Sequence, residues 1–421
     1  MFDWALARAL NMAVYQYIFY CSYIVCRYYK HRMVAMRWLT RDVFLIALSA
    51  FFADAGYQAL IAGFPIFIVF YLGAPVYDYG LAMAIAFGIG SLFSYFGGVL
   101  GDRYGKRKIA ILGNSLIPIL SFSGMVSGVA AAIGLFSAGW WARNFRSPAR
   151  RGIMSEVSSK SDRGKAFGFL NALDVGGGVL AVAYLAVLLG YGMSLRYIFL
   201  LTLIPIVAST LCLIALKYRD ARGPGAMKLK ERSTALRNRK TYFGMLAATM
   251  LYGLAFYSLG FPIITIAESS DAIAGIASYV VFLLVAAIIG YVIGRGRKNR
   301  LMKLALLGYF AAGIGSAVIG VSYAVGAGVF FMYIGVGVLG LSAGVIETLE
   351  PTIISLISKS RTIGRSMGSL GAARSLGIFA ANAVMGLVYF ISPVYAYAYA
   401  GLLAISAAAI MLLAGRGQKD I

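Results

Sequence analysis

Twelve long apolar runs constrain this chain more than any other feature. From Asp42 onward they fall near 42–71, 79–101, 108–126, 128–156, 164–189, 194–217, 241–267, 272–294, 301–322, 325–357, 364–391 and 394–415. Each is long enough to cross a bilayer as a helix, at about 1.5 Å per residue. Glycine and proline inside them are tolerable, because neighbouring helices satisfy the freed backbone groups. The expected fold class is an all-α membrane protein with twelve transmembrane helices.

Composition agrees. Of 421 residues, 61% are hydrophobic and 13% charged, against about 25% charge in a soluble domain. The net charge of +23 does not make a nucleic-acid binder. The bases lie in short loops between apolar runs, where cytoplasmic membrane loops collect them, and no aromatic-basic RNA-binding signature accompanies them. Cys21, Cys26 and Cys212 lie inside apolar runs, and the single histidine, His31, lies in a basic flank. Neither suggests a metal or a disulfide framework, and no cofactor is expected.

Residues 1–41 stand apart. An apolar stretch from about Ala9 to Cys26 contains Asn11 and Gln16 and is followed by Arg27, Lys30, Arg32, Arg37 and Arg41. It lacks a small-residue cleavage site. It reads equally as an extra helix, an interfacial anchor, or a start assigned upstream of Met33 or Met36.

Loop charge assigns orientation. One alternating set of loops holds Arg103, Lys106, Arg107 and Lys108, then Lys160, Arg163 and Lys165, then Arg295, Arg297, Lys298 and Arg300, then Lys359, Arg361 and Arg365. The polar segment 218–240 is also strongly basic. The other set holds Arg196 against Asp78, Glu268 and Asp271. By the positive-inside rule the first set is cytoplasmic. Both ends of the twelve-helix unit are then cytoplasmic, in the cell membrane.

The chain also repeats. Gly63-Phe64-Pro65-Ile66 recurs as Gly260-Phe261-Pro262-Ile263, and Ser159-Lys160-Ser161 as Ser358-Lys359-Ser360. Gly97 and Gly101 match Gly290 and Gly294. Gly164, Lys165, Gly168, Leu170 and Ala172 match Gly364, Arg365, Gly368, Leu370 and Ala372. The matches keep their order, and the halves share orientation, so they are parallel repeats. The expected organisation is a bundle over 42–217, a cytoplasmic linker over 218–240, a second bundle over 241–415 and a tail over 416–421.

Between the second and third runs lies Gly98-Val99-Leu100-Gly101-Asp102-Arg103-Tyr104-Gly105-Lys106-Arg107-Lys108. It resembles the signature loop of the major facilitator superfamily and falls where that family places it. The resemblance covers about residues 40–415. It implies two six-helix bundles that rock around a central site near the midplane. It further implies that Asp102, supported by Arg103 and Arg107 and framed by Gly98, Gly105 and Lys106, bridges to the other bundle as a conformational latch. The second copy has Arg295 where the first has Asp102, so the latch is expected on one side only. Sugar-porter signatures are absent, and the antiporter motif of the fifth span is echoed only by Gly176-Gly177-Gly178.

Ionisable residues within membrane spans are costly and become site candidates. Asp54 lies near mid-depth of the first span. Asp174 and Arg374 occupy equivalent depths of the fifth and eleventh, with opposite sign, which allows an ion pair between bundles. Arg143, Arg146 and Arg150 share a face of the fourth span, and Glu347 and Glu350 share a face of its counterpart, the tenth. Arg143 resembles the buried fourth-span arginine of proton-coupled members. The run from Arg146 to Arg150 looks like a poorly characterised microbial permease subgroup. Arg150, Arg151 and Glu350, near the cytoplasmic ends, read more readily as structural ion pairs. Asp54, Arg143, Asp174 and Arg374 read more readily as functional groups. The expected function is secondary active transport of a small solute coupled to protons, by a monomer, and not an enzyme. The alternative is a non-transporting sensor or a membrane-embedded enzyme on the same scaffold. An enzyme would have only Asp or Glu chemistry within the membrane.

Overall fold

The computed structural model describes residues 38–159, 162–218, 239–295, 301–357 and 363–415. The expectations for the N-terminal extension up to residue 37, for most of the linker and for the tail lie outside them. The described residues form twelve helical rods and no strand. Six make the first half: α1 (Arg41–Tyr71), α2 (Val76–Tyr104), α3 (Lys106–Met125), α4 (Val129–Val157), α5 (Arg163–Gly190) and α6 (Leu195–Ile214). Six make the second: α7 (Tyr242–Ser269), α8 (Ala272–Arg295), α9 (Leu301–Ala324), α10 (Val329–Ile357), α11 (Ile363–Ile391) and α12 (Pro393–Gly415). Eleven of these are long and apolar enough to cross a membrane. The twelfth, α4, has 29 residues and adequate length, but Arg143, Arg146, Arg150 and Arg151 lower its hydropathy.

Local chemistry sets the breaks and starts. The Thr40 hydroxyl accepts from the Val43 amide at 3.3 Å and caps α1. The Asp271 carboxylate accepts from the Ala274 amide at 2.8 Å at the start of α8. Within α7 the helix pauses between Ala255 and Gly260. Pro262 has no amide to offer the Ser258 carbonyl, and the Phe261 amide takes that carbonyl at 3.1 Å instead. The freed Ser258 amide donates to Asn382 Oδ1 at 2.8 Å.

The repeat is visible in the packing. In the first half α1 packs on α5 and α6, α2 on α4, and α3 on α4 and α6. In the second half α7 packs on α11 and α12, α8 on α10, and α9 on α10 and α12. The halves join through α2 with α11, α5 with α8, and α1 with α7. These seams follow the same symmetry, since α2 and α8 are counterparts, as are α5 and α11.

The halves join mainly at one end. Away from the Asp102 turn, a single apolar core runs through both, including Phe64, Tyr79, Phe136, Phe261, Tyr279 and Tyr389. At the end bearing the turn there are two separate cores. One holds Val43, Ile109, Ile153 and Leu213. The other holds Met245, Tyr309, Ile353 and Met411. The contact of α2 with α11 runs along Val76–Ile89. There a Cβ on Gly80 would sit 2.7 Å from Gly386 Cα, so the two backbones touch. Tyr79 of α2 and Ser258 in the break of α7 share a 2.7 Å hydrogen bond that also joins the halves. The molecule is therefore sealed at the far end and cleft at the turn end.

Candidate functional site

Asp54 stands where the shared core divides. Its neighbours Ala53 and Tyr57 belong to the shared core, and Ala50, one turn earlier, belongs to the first half's own core. The side chain is 4% exposed. Tyr57 Oη donates to its Oδ1, and Gln58 Nε2 donates to the same oxygen at 3.2 Å. Among the described residues its Oδ2 has no hydrogen-bond partner. The Asp174 carboxyl of α5 and the guanidinium groups of Arg143 and Arg150 on α4 are the charges that face it. At the register that matches Gly63 with Gly260, Asp54 falls on Leu251 and Gln58 on Ala255. Asp54 and Gln58 thus have apolar counterparts in the second half.

The α4 arginines diverge although they share a face. Arg143 lies over the Trp140 ring at 4.9 Å and the Tyr57 ring at 5.4 Å. It also donates to Asn144 Oδ1 at 3.2 Å. Arg146 is fully buried and turns into the first half, donating to Asn114 Oδ1 at 2.6 Å. Asn114 in turn donates to Thr210 Oγ1 at 2.8 Å and to Ser209 Oγ at 3.2 Å. Arg146 thus ties α4 to α3 and α6 from within. Arg150 donates to Asp174 at 3.2 Å.

In the second half Glu350 is wholly buried. It accepts from Arg374 Nη2 and from Tyr309 Oη, the latter at 2.6 Å. Glu347 is exposed, one turn earlier on α10, and its charge faces Arg374. Asp174 and Arg374 therefore pair within their own halves and not with each other. The two pairs are counterparts with reversed polarity. Arg150 on α4 meets Asp174 on α5, and Glu350 on α10 meets Arg374 on α11. In each pair the α4 or α10 member is the more buried one, at 4% against 23% and 0% against 23% side-chain exposure.

Among the described residues, the signature turn pairs within the first half. Gly105 has φ 103°, the left-handed region that favours glycine. It ends α2 and starts α3. The Asp102 side chain is 75% exposed and pairs with Lys106 at 3.2 Å. Lys106 also reaches Glu156 at 2.8 Å. Arg103 lies over the Tyr104 ring at 5.2 Å. Arg107 donates to the Ile214 carbonyl at 2.7 Å, and Arg41 to the Ala215 carbonyl at 3.2 Å. Both cap the end of α6. Close packing involves Gly97 more than the motif's Gly98. A Cβ on Gly97 would meet the Phe145 carbonyl at 1.9 Å, whereas one on Gly98 would meet only Pro148 at 3.7 Å.

Sequence reasoning passed over Gln58 and Tyr279 as site members. Tyr279 Oη donates to Gln58 Oε1 at 2.9 Å, which links α8 to α1 beside Asp54. One signal for Gln58 was available: it lies four residues after Asp54, on the same helix face. None pointed to Tyr279. Trp140 packs against Phe87 and Tyr57 in the shared core, and Trp141 donates from Nε1 to the Ile85 carbonyl at 3.2 Å.

Comparison with known proteins adds three findings. The family model of the Major Facilitator Superfamily matches residues 46–381. A curated relative, "Multidrug resistance protein 2" of Bacillus subtilis (strain 168), is 25% identical over 289 residues, 63% of this chain and 70% of that protein. Among solved structures, a POT family transporter in complex with a thioalcohol conjugated peptide gives a TM-score of 0.73 at 14% identity, over 89% of this chain and 95% of that one. A D-xylose-proton symporter gives 0.72 at 13% identity, over 88% and 96%. Likeness at these identities shows a shared fold.

Proposed function

The chain belongs to the Major Facilitator Superfamily, and on that premise we propose that it is a proton-coupled secondary transporter that moves a small solute by alternating access. The halves that rock are residues 42–217 and 241–415, joined by the linker 218–240. The basic loops face the cytoplasm of the cell membrane, so the cleft opens inward in this conformation. Asp54 is the proton-accepting carboxyl. The observation that carries this reading is its position: a buried acid where the halves part, with Arg143 and Asp174 facing it. Loss or gain of a proton there changes the charge at the hinge of the motion. Asp102 acts when the inner ends close, by reaching the second half as a latch.

The direction is outward, in exchange for protons. The name of the curated relative supports this. A Cβ on Gly177 would meet the Phe51 carbonyl at 2.2 Å, so α5 presses directly on α1 next to Asp54.

Flux in proteoliposomes tests the reading, across a panel of organic anions, cations and neutral solutes with and without a pH gradient. At least one solute moves against its gradient when protons are supplied, and Asp54→Asn abolishes that drive. Transport indifferent to the gradient and unchanged in Asp54→Asn refutes proton coupling. Binding of a solute without flux of any panel member points to a sensor.

A further inference from the structure

Gln58 and Tyr279 join the proposed proton site to the seal between the halves. Gln58 sits one turn after Asp54 on α1, half-buried, and Tyr279 is buried on α8. Gln58 Nε2 donates to Asp54 Oδ1 at 3.2 Å, and Gln58 Oε1 accepts from Tyr279 Oη at 2.9 Å. The order of donors follows from the acid. An ionised carboxylate can only accept, so it turns the amide N–H toward itself and leaves the amide oxygen facing α8. Tyr279 then has to donate. One ionised group thereby orients a hydrogen bond that crosses from one half to the other.

We propose that Gln58 and Tyr279 are positioning residues that convert the protonation of Asp54 into opening of the far-end seal. The inference rests on Asp54 being the proton site. The incoming proton forms an O–H bond at Asp54 Oδ2, the oxygen without a hydrogen-bond partner among the described residues, and no other bond breaks. The Asp174 carboxyl of α5, which interacts with Asp54, can accept from that hydroxyl. Oδ1 keeps its two donors, Tyr57 and Gln58, but loses its negative charge. Hydrogen bonds to a charged acceptor are roughly twice as strong as neutral ones, so the hold on Gln58 slackens. Tyr279 then loses an oriented acceptor, and the α1–α8 link weakens.

The other charges around Asp54 do not carry the signal across. Arg143, Arg146 and Arg150 lie on α4 and Asp174 on α5, all within the first half. Tyr184 of α5 donates to the Ala55 carbonyl at 2.9 Å, also within that half. Gln58–Tyr279 is the side-chain hydrogen bond beside Asp54 that, among the described residues, spans the two halves. The ionised acid therefore favours the sealed far end, and the protonated acid favours its opening.

Spin labels at Tyr191→Cys and Ser270→Cys test this. These positions follow α5 and precede α8 at the far end, and the background replaces Cys21, Cys26 and Cys212 with Ser. Distances are measured in the full-length protein in nanodiscs, from alkaline to acidic buffer. The parent opens as the pH falls. Tyr279→Phe and Gln58→Leu each raise the open fraction in alkaline buffer about fivefold, as expected for loss of one hydrogen bond, and flatten the pH response. The double variant is no more open than either single one, because both act on one chain of bonds. Tyr184→Phe keeps the parent's response. If Asp54→Asn abolishes the response but Gln58→Leu and Tyr279→Phe retain it, the relay is refuted and the proton site stands. If Asp54→Asn responds as the parent does, the proton site itself is refuted.

Discussion

Arg374→Met strands a buried charge, and its cost can be worked from the structure. Glu350 has no exposed surface and is held by two donors, Arg374 Nη2 and Tyr309 Oη. Arg374 is the only one of the two that carries a charge. Removing one partner of a buried ion pair costs about 3–5 kcal/mol, because the remaining ion keeps its desolvation penalty without compensation. Exchanging the pair, Glu350→Arg with Arg374→Glu, preserves the attraction. The mirrored pair of the first half supports this exchange, since Arg150 on α4 and Asp174 on α5 already have that polarity. The exchange should therefore recover most of the loss. The assay is reversible unfolding in mixed micelles on titration with SDS, read from far-UV helical signal. A loss below about 1 kcal/mol for Arg374→Met would refute the reasoning, and so would an exchanged variant as unstable as the single one.

Other outcomes follow from the same geometry. Asp102→Asn leaves stability within about 0.5 kcal/mol, because an exposed pair contributes little. It nevertheless shifts cysteine-labelling accessibility toward the inward-open state, and unchanged labelling would count against the latch. Gly97→Val disrupts the α2–α4 contact and lowers the yield of folded protein, whereas Gly98→Ala is tolerated; equal yields would contradict the contact geometry. Gly80→Val places a Cβ against Asn382 and Gly386, so it opens the far-end seal and increases labelling from that side. Asn114→Ala leaves Arg146 without its acceptor and lowers stability by about 1–3 kcal/mol, measured by the same unfolding titration.

Span number, the repeat and the signature turn were all legible along the chain. Each depends on local hydropathy, on loop charge or on matching residues in register. Asp54 was legible as a candidate because a charge within an apolar run stands out wherever the helix points. Its companions were not. Gln58 and Tyr279 lie in different halves, and no spacing rule connects them. Arg143 and Arg146, three residues apart, looked alike, yet one stacks on aromatic rings and the other is buried against Asn114.

The pairing of the charges shows where sequence and tertiary structure divide. From the sequence alone, Asp174 and Arg374 were equivalent positions of opposite sign, and a bond between the halves was open to them. Tertiary packing gave each a partner on the neighbouring helix of its own half. Sequence determined that charges would stand at those depths, because helical rise converts position along the chain into depth in the membrane. Which charges meet depends on how each helix is rotated and which neighbour it packs against. That is decided by the fit of whole helix faces in three dimensions. The same packing joins the far ends of the halves, leaves the Asp102 side chain exposed and brings Tyr279 to Gln58.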